Sequence, residues 1–445
     1  MDIKTTPNKK VESSNNSPEQ GPDLIWGGAG GKAVSSKTAI PSQNTGTSTE
    51  ASNNSPLGDG GGVLLKGITW SHSRGITPLI AFSQRFSELN PGIEIQWTKR
   101  TLQQFADFPI EKLTEQYDLL IIDHPWVGCA AATECVLPLE QWLSKKYLLD
   151  QLKNTVGFSH LSYQYNLHQW ALAIDAATPA ASYRPDLFEK NNSTLPDTWQ
   201  GLLELARKGK VAVPAIPIDL LMNFYSFCIA NGREPFLNKK EVVDSKTGIA
   251  ALKMMQDLYS LVDKKMFALN PIGVAELMTN TDDYWYCPFA YCYSNYSREG
   301  YAKNVLLYSD LVKVNGNRLR TTIGGTGLAI SAHSKHKAMA VKFASAIVSS
   351  KCQSTLYVEH GGQPGHKAGW TSKTANMLCN NFFENVLPVM ENGFVRPRYN
   401  GYLYFQDHAG NPIHDFLLNG GIPENVLKDL NSLYKKSLSI FKSCI

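Results

Sequence analysis

Two short loops carry side chains that could grip or transform a polar molecule. The first is Trp70-Ser-His72-Ser-Arg74-Gly, set between an apolar run and a helical period. An indole face, an imidazole, a guanidinium and the free N–H groups of a helix start suit a polar or anionic ligand group. The second is Asp123-His124-Pro-Trp126, directly after the apolar run Leu119–Ile122. An aspartate at a strand end accepts two hydroxyl hydrogen bonds, which suits a sugar or polyol. His124 is placed to act as a general base instead. Each loop also reads as a plain surface turn with a helix cap.

Three further stretches could contribute. Tyr284–Tyr296 holds seven aromatic residues. Ring faces stack on sugars, but most of these must fill a core; Trp285 and Tyr291 are the two expected at a ligand. Gly324-Gly325-Thr-Gly leads into a strand rather than a helix, so it is no dinucleotide fingerprint and reads as a hinge or a close backbone approach. Gly361-Gly-Gln363-Pro-Gly365 is a loop expected to line a cleft or pack beneath it. Arg396-Pro-Arg398 sets two guanidinium forks two residues apart, suited to a carboxylate, a phosphate or a structural ion pair. No phosphate-binding loop, zinc-protease, nucleophile-elbow or calcium-loop pattern is present, and neither cofactor nor metal is expected. The eight cysteines form no dense framework and read as buried or free thiols.

The elements that must position these residues alternate between strand and helix. Leu64–Gly75 reads as a strand running out into a polar loop and Ile93–Thr98 as a strand, with a helix over Ile76–Leu89 stopped by Asn90-Pro-Gly92. Leu119–Ile122 has the continuous apolar character of a strand buried on both faces. Gln169–Asp175 reads as another strand, Pro179–Asp186 as a turn-rich segment, and Val211–Ile218 as a Pro-rich strand. Helices are expected over Thr198–Ala206, Leu220–Ala230, Thr247–Leu261 and His336–Ser349. In such α/β sheets ligands bind outside the carboxyl ends of the strands, which puts Trp70, His72, Arg74, Asp123, His124 and Trp126 on one rim.

At 445 residues the chain is too long for one ordinary core. Its net charge of +4 argues against a dedicated nucleic-acid binder. Residues 1–62 are rich in Ser, Asn, Gly and Pro, and read as a disordered tail. Met1-Asp-Ile-Lys-Thr-Thr-Pro begins no signal peptide and no run spans a bilayer, so the sequence as given leads to a cytoplasmic expectation.

The order of these pieces resembles the extracellular solute-binding proteins of bacterial ABC importers, in particular the carbohydrate-binding family 1. The likeness runs from Leu64 to about Gly420 through Tyr117–Asp123, Ala171–Asp175, Tyr183-Arg-Pro-Asp186, Gly324–Ser331, Gly361–Gly365 and Arg396–Arg398. It implies an α/β, two-lobed periplasmic-binding-protein-like fold of type II, with a hinge and a ligand between the lobes. Residues 63–173 with 327–365 would form one lobe, and 174–326 with 366–445 the other. Asp175 would join Trp70, His72, Arg74, Asp123, His124, Trp285, Tyr291, Gly325 and Gln363 at the ligand. The resemblance also implies a permease partner, a monomer, and an exported or lipid-anchored chain. A cytosolic ligand sensor and a cleft enzyme using His72, Asp123 or His124 as acid or base are the competing readings.

Overall fold

The computed structural model describes residues 62–101 and 110–439. The expected tail therefore lies outside the described residues, save for its last glycine. Nine strands are numbered here: β1 (Val63–Trp70), β2 (Ile93–Arg100), β3 (Leu119–Ile122), β4 (Leu172–Ala177), β5 (Pro179–Tyr183), β6 (Tyr286–Tyr291), β7 (Leu307–Ser309), and two more. The eighth, a short hairpin arm, is β8 (Lys313–Val314), and the ninth is β9 (Gly324–Ile330). One sheet runs in the order β2-β1-β3-β9-β4. Its first three strands are parallel, and β9 is antiparallel to both neighbours.

This sheet is buried on both faces, and the period-two rule shows how. Leu119 and Ile121 of β3 enter one core with Leu328 and Ile330 of β9; Leu120 and Ile122 enter another with Ala329. The first core is closed by α1 (Ser73–Leu89), through Leu79, Phe82 and Phe86, and by the helix Lys337–Ile347. A second sheet sets β5 between β6 and β7, all antiparallel. Its core is mostly helical, built from α2 (Pro217–Ala230), α3 (Ser245–Tyr259) and two long helices near the end of the chain, Tyr402–Asn419 and Pro423–Ser439.

Two sequence expectations differ from this architecture. Pro179–Asp186 was expected to be turns, yet Pro179–Tyr183 is the central strand of the second sheet. Proline is tolerated as the first residue of a strand, and buried Ala180 and Ala181 are too small to give a β signal. Val211–Ile218 gives only an isolated bridge from Val211 to Tyr286, and helix α2 already starts at Pro217. The expected lobe boundaries at 173/174 and 326/327 fall inside strands. β4 keeps its pairing to Ala177 and β9 begins at Gly324, as the partnership Gly324↔Ala177 shows.

The chain thus passes between the sheets at Thr178, just before Gly324, and through the loop around Gln363. These three segments are tied to one another. Thr178 Oγ1 lies 2.9 Å from Thr321 Oγ1 and donates to the Thr322 carbonyl, while Thr321 Oγ1 bonds the Pro179 carbonyl. Ala176 N–H donates to the Gln363 carbonyl, and Gln363 Nε2 donates back to the Ala176 carbonyl. Gly325 sits among them at φ +86°, where a Cβ would lie 2.3 Å from the Asp175 carbonyl oxygen. Gly325→Ala is expected to lower unfolding free energy by about 2–4 kcal/mol, from strain plus overlap. Gly92→Ala, at a similar φ in open space, should cost only about 1 kcal/mol. Urea titration of both variants separates the two terms; equal losses would contradict the close approach at Gly325.

Candidate functional site

Strand β1 ends at Trp70, and α1 begins three residues later because His72 caps it. His72 Nδ1 accepts the Arg74 N–H at 3.0 Å, and its ring packs 4.6 Å from that of Tyr293. Burial, then the charge of Arg74, pushes His72 down to about 4, so the ring is neutral and Nδ1 is free to accept. Gly75 in the next turn leaves room for the Trp70 indole, which a Cβ there would meet at 2.4 Å.

Arg74 in the first turn is almost wholly buried. Its Nε and Nη2 clasp the two oxygens of Asp175 at 2.9 and 2.5 Å, and Nη1 donates to the Cys292 carbonyl at 2.9 Å. The guanidinium carbon also lies 4.8 Å from the Tyr293 ring centroid. Burial opposes its charge, but the Asp175 carboxylate outweighs that and raises the guanidinium above its ordinary value. All three nitrogens are committed within the protein, so Arg74 supports a site more than it recognises a ligand.

A second pair stands at the end of β3. Asp123 caps a short 3-10 turn, accepting the His124 N–H at 2.8 Å. Arg396 Nη2 reaches both Asp123 oxygens at 2.6 and 2.8 Å, and Nη1 donates to Gln406 Oε1. Burial works against the Asp123 charge, yet Arg396 holds the carboxyl well below the usual range. His124 is fully buried, with Nδ1 3.4 Å from Arg396 Nη2. Burial and the Arg396 charge push it down to about 4. Arg398, the other fork, donates to the carbonyls of Leu161, Ser162 and Gln164 and is structural.

Between these pairs lies a cavity of about 250 Å³, near the small end of the roughly 300–1,000 Å³ seen for small-molecule sites. Trp70, Arg74, Asp123, Tyr291, Gly325 and Arg396 line it, together with Tyr293, Ile216, Ile218, Asp219, Met222 and Asn270. Of the residues expected at a ligand, Trp70, Arg74, Asp123, Tyr291 and Gly325 reach this cavity. His72, His124, Asp175 and Gln363 do not line it; each braces a residue or segment beside it. Gln363 is fully buried, its Oε1 accepting the Ser294 N–H. Trp285 packs on Phe188 and under the Lys210 ammonium, with its indole N–H on the Asp282 carbonyl. The sequence reading missed Asp219, Ile216 and Asn270. An acid in the first turn of a helix after Pro217 looks like any favourable helix start, so nothing local marked Asp219.

This is a binding-protein architecture, two sheets joined by three crossing segments with a cavity among their ends. The profile of the bacterial extracellular solute-binding protein family matches residues 71–353; the chain belongs to that family. Its fold is similar to that of maltose-bound MalE3 from T. maritima (TM-score 0.74, 20% identity, covering 84% of this chain and 99% of that one). It is also similar to an ABC transporter solute-binding protein from Agrobacterium radiobacter K84 solved with ribitol (TM-score 0.72, 21% identity, 84% and 98% covered). A third, Lmo0181 from Listeria monocytogenes with cycloalternan, gives TM-score 0.71 at 15% identity over 85% and 99%. The family is an extracellular one, and the cytoplasmic expectation finds no support in it.

Two outcomes follow from the buried groups. His72 and His124 are neutral in the fold, and the unfolded chain takes up protons first as pH falls. The stability these two rings contribute should therefore be full above about pH 6.5 and decline as pH drops from there toward 4, while the Asp219 carboxyl, pushed up to about 8, works in the opposite direction over the same range. Urea midpoints of the unmodified protein and of His124→Gln at pH 4.5 to 7.5 should converge as pH falls, because the variant lacks one of the declining contributions; a constant difference would contradict a neutral core histidine. Asp175→Asn leaves the Arg74 charge buried and uncompensated, and is expected to cost about 3–5 kcal/mol in the same titration at pH 7.

Proposed function

We propose that this chain captures a small sugar or polyol in the cavity and hands it to an ABC-type import complex. The observation that carries the reading is the cavity's lining. The indole of Trp70 and the phenols of Tyr291 and Tyr293 supply apolar faces, while Asp219 and Asn270 add polar atoms among them. Sugar rings have apolar C–H faces and a rim of hydroxyls, so aromatic faces with a few placed acceptors suit them. The relatives solved with maltose, ribitol and cycloalternan support the same class of ligand. Capture would close two halves on one another, one formed by about 63–177 with 324–362, the other by 179–323 with 365–439. The chain would act as a monomer outside the cytoplasm, with a permease as its partner.

Binding without catalysis fits the site better than acid–base chemistry. The cleft-enzyme reading relied on His72, Asp123 or His124. His72 is engaged as a helix cap, Asp123 is clamped by Arg396, and His124 is outside the cavity lining. Calorimetry with maltose, ribitol, tagatose and common monosaccharides tests the proposal on the full chain. At least one should bind, raise the melting temperature and come back chemically intact; at a hundred times Kd the gain is about 2.7 kcal/mol. Trp70→Ala should weaken that ligand roughly tenfold or more. Absence of any shift across the panel, or turnover of the ligand, would defeat the reading.

A further inference from the structure

The charges lining the cavity do not cancel. Arg74 and Arg396 both reach it, and each is neutralised inside the protein, by Asp175 and by Asp123. Asp219 is different. It is 6% exposed, it lines the cavity, and its Oδ2 is buried with no hydrogen-bond partner. Burial alone acts on its carboxyl, pushing it up to about 8, with no neighbouring cation to oppose it. A buried carboxylate oxygen without a donor is costly, and this one stands in the lining of a cavity, where an entering donor can reach it.

We propose that the ligand is a sugar or polyol that carries a protonated amine, and that Asp219 is the side chain that pairs with it. This rests on the sugar reading above and narrows it. A neutral sugar would leave either an uncompensated buried charge or a carboxyl held in its protonated form. An ammonium group restores the balance and supplies up to three N–H donors to the empty oxygen. Pro217 at the first position of α2 contributes no N–H to that oxygen, so the donor falls to the ligand. The aromatic rings of Trp70 and Tyr291 in the same lining also favour a cation over a neutral hydroxyl.

Calorimetry on matched pairs reads this directly: glucosamine against glucose, galactosamine against galactose, and 1-amino-1-deoxysorbitol against sorbitol, with ethanolamine as an amine lacking the ring. In the unmodified protein at pH 7 the amine member of at least one pair should bind roughly tenfold to a hundredfold tighter. Asp219→Asn should bring the two members of that pair to within about threefold of each other. Equal or tighter binding of the neutral members overturns the inference and leaves the sugar reading standing. Ethanolamine binding as tightly as the amino sugars, in an Asp219-dependent way, overturns the sugar reading while the amine pairing stands. Failure of every amine to bind overturns the pairing even if Asp219→Asn does not fold, because the matched comparison needs no variant.

Discussion

The buried ion pair between Arg74 and Asp175 fixes more of this molecule than any other single interaction. Arg74 belongs to the first turn of α1 on one sheet, Asp175 to the edge strand of the same sheet, and the third nitrogen of the fork bonds the Cys292 carbonyl just beyond β6 of the other. One side chain therefore spans both halves of the fold. Placing two charges away from water costs several kcal/mol each, recovered only when every donor has an acceptor at good geometry. The fork goes far toward that condition, with each of its three nitrogens on an acceptor and a tyrosine ring against its face. Any displacement of α1, of β4 or of the chain after β6 breaks that fit, so the pair demands one arrangement of all three.

The crossing segments inherit their shape from that demand. Asp175 lies two residues before the end of β4, and Thr178 follows at the exit from the sheet. The threonine cluster at 178, 321 and 322 and the Gln363 amide satisfy backbone groups that leave their sheets at this point. Without such partners these buried carbonyls and N–H groups would be stranded between two cores. Arg396 and Asp123 form a second arginine–aspartate pair at the end of β3, held through one guanidinium nitrogen, so both pairs stand at the cavity.

Much of the fold was legible because it rests on periodicity. Leu119–Ile122 announced a doubly buried strand, and Thr198, whose hydroxyl caps the following helix, was correctly read as a helix opener. Residues close to the ends of the first and third strands, Trp70, Arg74 and Asp123, could be placed at a cavity from strand direction alone. What stayed hidden depends on contacts far apart in sequence. Nothing local in Asp175 or Gln363 distinguishes a brace from a ligand contact; only the partners, 101 residues away for Asp175 and Arg74, decide it. Trp285 lay in the aromatic run beside Tyr291, yet it packs on Phe188, because an aromatic segment turns its rings to several sides. Asp219 was hidden for the opposite reason. Its position suits a helix start so well that the missing partner becomes visible only when the surroundings are known.

The depth of the two arginine clamps has a bearing on the medium in which the protein works. Dissolved ions screen charges that face water over a Debye length of about 8 Å at physiological salt, and reach buried pairs far less. Both guanidinium groups are almost wholly shielded from solvent. The clamps at the cavity wall thus respond to ionic strength far less than surface charges do. Fresh water and brine present the incoming molecule with much the same frame.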